Sequence, residues 1–347
     1  MTLSQAPTKP PPGFRKTSFE ETAGLFDTGA PVTGAVANGD GIASTFGDGT
    51  VRFFHPSETS PAEVHAHNGV VLCCAAEGDH LLTGGDDGKF LRIAPDGTVN
   101  ELANFGSKWV DCVAASNGLR ACSSGRKAYI WTSGRSEATE LEHSSTVGGL
   151  AFDAKGSRLA VAHYGGVTVW EQKKHRWKKS KLFWQGSHGA ITFSPDGKFI
   201  VTAMQENALH GWRLRGKIDL AMTGYPSKAK SFAWVGETPY LATSGGYEAI
   251  CWPFDGPQGP MERPPLCVGQ HGENIATCVE AFPLLNAVFV GFQDGAVLVS
   301  ELQETKDVMA LRGPTGIEVT AIAINQPQSH LFVGDARGHS LWAPLKN

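Results

Sequence analysis

Charge is scarce in this chain of 347 residues: 18% of positions are Asp, Glu, Lys or Arg, against about 25% in ordinary soluble domains. The two signs nearly cancel, with 30 Lys+Arg and 34 Asp+Glu giving a net charge of −4. That balance excludes a globally basic nucleic-acid binder and leaves room only for a local basic patch. Long hydrophobic runs are missing as well. No stretch approaches the roughly 18 apolar residues of a membrane-crossing helix, so no transmembrane segment is expected. The segment from Met1 to Phe14 carries Pro7, Pro10, Pro11 and Pro12 and no apolar core. It has no secretory signal, and residues 1–16 are expected to be a disordered Pro-rich tail.

Cysteine is thinly spread: Cys73, Cys74, Cys112, Cys122, Cys251, Cys267 and Cys278. An odd number without framework spacing, and without an export signal, reads as buried reduced thiols in a cytoplasmic protein. Catalytic motifs are absent too. There is no Gly-x-Ser-x-Gly elbow, no Gly-Lys-Ser/Thr phosphate loop and no His-Glu-x-x-His helix. His65, His67, Cys73 and Cys74 lie close in sequence, but adjacent strand residues point to opposite faces, so the cysteine pair does not converge on one ion. No catalytic, cofactor-binding or metal-binding residue, and no cofactor, is expected.

What the chain does have is glycine, 42 residues of it, together with 9 Trp. Many tight turns between short strands follow. An internal repeat organises nearly all of the sequence. Its second hairpin recurs at 41–54, 80–93, 119–131, 158–170, 199–212, 240–252, 287–300 and 330–343. The closing positions Phe54, Ile93, Trp131, Trp170, Trp212, Trp252, Ser300 and Ala343 are separated by 39, 38, 39, 42, 40, 48 and 43 residues. A strand–turn–strand unit with a period near 40 is the signature of a four-stranded propeller blade. Turns such as Asn117-Gly118 and Asp196-Gly197 supply the positive φ that tight hairpins need.

The repeated Asp-Gly turn with a following Trp or substitute, the histidines ahead of the inner strands, and the Phe193–Lys198 run FSPDGK carry a resemblance. Over roughly 18–343 the sequence resembles the WD-repeat family of β-propellers, in a degenerate, bacterial-type form. The resemblance implies a hydrogen-bonded network of His, Ser or Thr, Asp and Trp within each blade. The best match is His67, Thr83 and Asp87 in blade two. Blade one offers Ser44 and Asp48, blade five Thr202, Glu206 and Trp212, and blade seven His271 and Asp294; none is complete. The expected architecture is all-β: antiparallel four-stranded blades, eight of them, with seven as the alternative if one degenerate unit is an insertion. Residues 17–347 form one domain, and the strand Thr17–Phe26 completes the last blade, because pairing the two chain ends removes exposed edges. The vicinal cysteines invite comparison with eight-bladed quinoprotein dehydrogenases, but the repeated Trp-docking motif of that family is absent.

Two surfaces stand out in the sequence. Between 173 and 217 there are ten Lys/Arg against Asp196 and Glu206, a balance of +8, so the remainder carries 20 − 32 = −12. Lys173, Lys174, Arg176, Lys178, Lys179, Lys181, Arg213, Arg215 and Lys217 are the basic candidates, on neighbouring outer loops of blades four and five. The plain reading is a solvated hairpin tip; the functional one is a patch for an acidic protein segment, with RNA or an anionic surface a weaker choice. The Pro-rich stretch 255–265 is a stiff loop on the same face. On the opposite face, where WD-repeat proteins bind partners, the candidates by position are Phe46, Trp109, Arg126, Tyr164, Gln205, Tyr225, Tyr247 and Phe292. The expected role is a non-catalytic protein-interaction scaffold; the rival is an enzyme with a channel-mouth active site.

Overall fold

The computed structural model describes residues 17–132, 134–135, 137–174, 176–303 and 308–345. The expected tail lies outside the described residues. Strands of alternating apolar and small residues stack radially as antiparallel sheets, each burying both faces against its neighbours. The innermost strands are Val32–Asn38, Val71–Glu77, Cys112–Ser116, Val147–Phe152, the 188–193 half of Arg176–Phe193, Phe232–Val235, Ala276–Phe282 and Val319–Ile324. Neighbours in that order touch around a closed ring, the last against the first, and Trp234 Nε1 donates to Thr192 Oγ1 at 2.9 Å between the fifth and sixth.

As hydrogen-bonded sheets the blades number seven, six of four strands and one of six. The preferred count of eight separate blades is corrected to the alternative, though no unit is an insertion. Sequence units four and five are fused in the wide sheet. Arg158–Lys173 folds back on itself, with Gln172 N donating to Ser157 O at 3.0 Å. Its first half pairs with Val147–Phe152 and its second half with 176–183. The next strand, Arg176–Phe193, is then outermost in unit four and innermost in unit five, where it pairs with Phe199–Met204. Gly166 makes the first reversal possible. Its φ is +128°, and a Cβ there would lie 2.1 Å from Leu182 O. Eight strand-reversal units thus occupy the ring in seven sheets.

The ring closes with an N-terminal strand, Gly24–Asp27, antiparallel to His339–Pro344 from Gly24↔Trp342 to Asp27↔His339. The expected strand over Thr17–Phe26 is shortened by a helical turn, Ser18–Thr22. Thr17 and Glu20 explain it. Thr17 Oγ1 accepts from Glu20 N at 3.1 Å, and Glu20 Oε2 accepts from Thr17 N at 2.9 Å, a capping box that satisfies two otherwise orphaned amides. The core lies between sheets. Phe282, Phe289, Ile322 and Leu331, for example, fill the last gap of the ring with Phe19, and each such large side chain contributes roughly 1.5–3 kcal/mol by leaving water.

Candidate functional site

Three of the sequence candidates are structural. Phe46 is fully buried under the Arg52 guanidinium, 4.2 Å from the ring centre. Phe292 is fully buried edge-on to His271. Tyr225 is buried, its hydroxyl between Thr243 Oγ1 at 2.7 Å and Trp252 Nε1 at 2.6 Å. Phe46 and Phe292 end the strands Gly41–Phe46 and Ala287–Phe292, Tyr225 lies in the loop after Ile218–Met222, and in each case the side chain turns inward between sheets. These three are corrected from surface to interior.

The other five lie at turns of successive units on one end of the ring. Trp109, 60% exposed, precedes the inner strand of unit three, and Arg126 sits at that unit's second turn, paired with Glu142. Tyr164, 59% exposed, and Gln205 hold the same place in units four and five. Gln205 Oε1 accepts from Lys228 Nζ at 3.0 Å. Tyr247 is exposed in unit six. The structure adds two aromatics that the sequence reading missed. Phe183, 71% exposed, and Trp184 end the outer strand of unit four at this same end of the ring, Phe183 pairing with Gly166, two residues along from Tyr164. Trp184 stacks on His210 with centroids 3.9 Å apart. The signal was available: two adjacent aromatics on an edge strand cannot both face inward. Trp109, Tyr164, Phe183, Trp184 and Tyr247 thus form an arc across units three to six.

The basic residues fall on the opposite end. Lys173 and Lys174 lie at the tip of the unit-four hairpin, where Lys174 adopts φ +47°. Arg176, Lys178, Lys179 and Lys181 follow on the exposed return strand. Trp177 is half-buried and packs with Trp170 and Ile130, so it faces the core. A groove of 360 Å³ separates this hairpin from unit five. Arg158, Lys173, Lys178, Lys179 and Lys217 line its walls, and Val169, Leu182 and Leu214 its floor. Two of the charges are locally balanced, Arg158 by Asp153 and Lys173 by Glu171. Arg213 donates to Pro257 O at 3.0 Å, which ties the Pro-rich loop to unit five. Between them, with Arg215, runs a wider groove of 1350 Å³. The structure therefore brings the basic loops of units four and five together.

The histidine networks are internal. His67 bonds Asp87 at 2.9 Å and Thr83 at 2.8 Å, and His271 bonds Asp294 at 2.8 Å. His188 bonds Thr202 at 2.8 Å, supplying unit five with the histidine that its sequence reading omitted. In unit four, Trp170 Nε1 donates to His143 Nε2 at 3.0 Å. Burial holds the His143 imidazole down at about 4 and also lowers His188 and His210, so all three sit neutral in the fold. Cys73 and Cys74 contact opposite neighbours, Val110 O and Thr45 Oγ1 respectively. The described cysteines are free thiols. Burial raises the Cys74 thiol to about 11. Cys122, Cys251 and Cys278 are buried, Cys73, Cys74 and Cys112 are half-buried and Cys267 is exposed, which corrects the expectation that all seven are buried. Among the described residues, no three His, Cys, Asp or Glu side chains are arranged to hold a metal.

No protein-family profile matches the chain. The angio-associated migratory cell protein of Homo sapiens is 26% identical over 211 residues, 57% of this chain and 45% of its own length. The orthologues of Pongo abelii and Canis lupus familiaris align equally. The chain thus matches less than half the length of these curated relatives. Among solved structures, the computationally designed Ika8 protein superposes with a TM-score of 0.72 and 18% identity, over 92% of this chain and 98% of that one. These observations support a WD-type propeller. Among the described residues no helix is long and apolar enough to cross a membrane.

Proposed function

We propose that the chain is a non-catalytic interaction scaffold of degenerate, bacterial-type WD repeats, working in the cytoplasm. The observation that carries this is the aromatic arc of Trp109, Tyr164, Phe183, Trp184 and Tyr247 on one end of the ring. Large aromatic side chains supply much contact area for little lost conformational entropy, and they are favoured interface anchors. The stiff frame beneath them leaves little further ordering cost on binding.

A second surface takes an acidic protein segment. The groove between units four and five joins lysine walls to an apolar floor, a combination suited to a peptide of mixed acidic and apolar residues rather than to bare phosphate backbone. The compact location of positive charge within a chain of net charge −4 steers such a segment to this one end.

One experiment tests both surfaces. Tagged full-length chain is used for capture with mass spectrometry, beside a Trp109→Ala/Tyr164→Ala/Phe183→Ser variant and a Lys173→Glu/Lys174→Glu/Lys178→Glu/Lys179→Glu variant. The aromatic variant is expected to lose specific partners with its melting temperature unchanged. The charge-reversed variant is expected to lose a second set, whose wild-type capture weakens between low and high salt. Unchanged capture by the aromatic variant overturns the scaffold reading. Unchanged, salt-independent capture by the charge-reversed one returns the basic hairpin to a solvated tip.

A further inference from the structure

The central channel widens beside units six, seven, eight and one into a cavity of 350 Å³, whose polar lining includes Lys230, Ser231, Thr277, Glu280, Glu318 and Thr320. All but one of these side chains are engaged. Lys230 Nζ bonds Glu318 Oε1 at 2.9 Å, reaching from unit six to unit eight across the mouth. Ser231 Oγ donates to Val279 O at 3.1 Å, Thr277 Oγ1 to Val319 O at 2.7 Å and Thr320 Oγ1 to Gly334 O at 3.4 Å. Glu280 stands on the innermost strand Ala276–Phe282 and opens onto the cavity. Among the described residues its carboxyl has no hydrogen bond and no ion pair. The cavity therefore holds two carboxyl groups and one ammonium, and that ammonium is already paired.

Glu280 is half-buried, and a carboxyl partly withdrawn from water with no partner in the chain is costly to ionise, so its counter-charge is to be found outside the chain. The hydroxyls around it are committed to backbone carbonyls, so no oxygen cage of the kind a hard metal ion needs is present there. The rest of the wall is apolar, from Val279, Ala321 and Ile322, which suits an alkyl stem carrying a charged head. We propose that this cavity receives the head of an organic monocation, an alkylammonium or guanidinium group, which pairs with the Glu280 carboxylate. The proposal rests on the scaffold reading for its source: a lysine or arginine side chain of a partner seated at the channel mouth, or a free amine of the same chemistry.

The groups facing Glu280 fix the pH behaviour. They are Cys278 on its own strand, and Glu318 and Lys230 at the mouth on units eight and six. Burial pushes the Glu280 carboxyl up to about 8. Below that pH the empty cavity holds a proton, which an incoming cation displaces. Affinity is therefore expected to rise about tenfold per pH unit on approaching about 8 and to level off above it.

The test is calorimetric titration of the full chain at pH 6.5 and pH 8.5 with N-acetyl-arginine-N-methylamide, the small monocation n-butylguanidine and the neutral isostere N-acetyl-citrulline-N-methylamide. Glu280→Gln is run in parallel, with its melting temperature recorded; it keeps the shape and removes the charge. Wild type is expected to bind the cations and not the citrulline compound, with about one proton released at pH 6.5. Glu280→Gln, still folded, is expected to bind them about tenfold or more weakly and without proton release. Tighter binding of the arginine compound than of n-butylguanidine identifies a partner side chain as the source, and the reverse identifies a free small cation of that chemistry. Equal binding of the citrulline compound, unchanged binding by Glu280→Gln, or no binding of either cation at millimolar concentration overturns the proposal. Capture through the aromatic arc is measured separately and stands or falls without it.

Discussion

At the scale of single residues, Tyr225 shows how one side chain replaces another in a repeat. It occupies the place that histidine holds in units two and seven, and it carries a directed relay: Trp252 Nε1–H to Tyr225 Oη, Tyr225 O–H to Thr243 Oγ1, and Thr243 O–H to Ile250 O at 2.9 Å. Tyr225→Phe leaves the indole N–H without its acceptor, so a loss of about 1–3 kcal/mol is expected in urea unfolding, with partner capture unaltered. Tyr225, Phe46 and Phe292 were legible as special positions but not as buried ones. Repeat spacing places a residue at a strand end, and only neighbouring sheets decide whether its side chain turns inward. Glu280 escaped the sequence reading for the same reason. A lone acidic residue in a run of apolar ones is unremarkable until the packing removes all its partners.

At the scale of elements, the hairpin periodicity gave the strands their places, and the fusion of units four and five was the part left unread. The sequence Tyr164-Gly165-Gly166 replaces the wider Asp-Gly turn of other units with a reversal so tight that the strand continues through it. The pattern of apolar residues is the same either way; the backbone at Gly165 and Gly166, with φ +87° and +128°, makes the difference. Gly166→Val is therefore expected to destabilise the chain by about 2–3 kcal/mol or more, since a branched side chain meets both the positive φ and Leu182 O. The measurement is the urea midpoint, and a shift within error would show that the reversal tolerates a side chain. The helical turn Ser18–Thr22 was likewise hidden behind an apolar pattern, Phe19, Leu25 and Phe26, that a strand also satisfies. The capping pair Thr17 and Glu20 decides it.

At the scale of the whole molecule, stability depends on keeping three buried histidines uncharged. Burial depresses His143, His188 and His210 below their ordinary value of 6.5. The folded chain then binds fewer protons than the unfolded one, and stability falls as pH drops from about 6.5 towards about 4. Glu280 acts in the opposite sense: its raised value takes stability away as pH climbs from the ordinary carboxylate range to about 8. A melting temperature that peaks between these limits is expected, with the alkaline side flattened in Glu280→Gln; a profile that rises steadily from pH 4 to 8 would contradict it. The charge separation between the basic hairpin and the acidic remainder was readable from residue counts alone, whereas the aromatic arc needed the ring to set its members side by side. The pairing of Gly24–Asp27 with His339–Pro344 carries a consequence for biosynthesis. The first strand leaves the ribosome more than three hundred residues ahead of its mate, so the nascent chain keeps two unsatisfied edges throughout elongation. Truncation anywhere before the final hairpin would release a ring that cannot lock, with an open flank available for self-association.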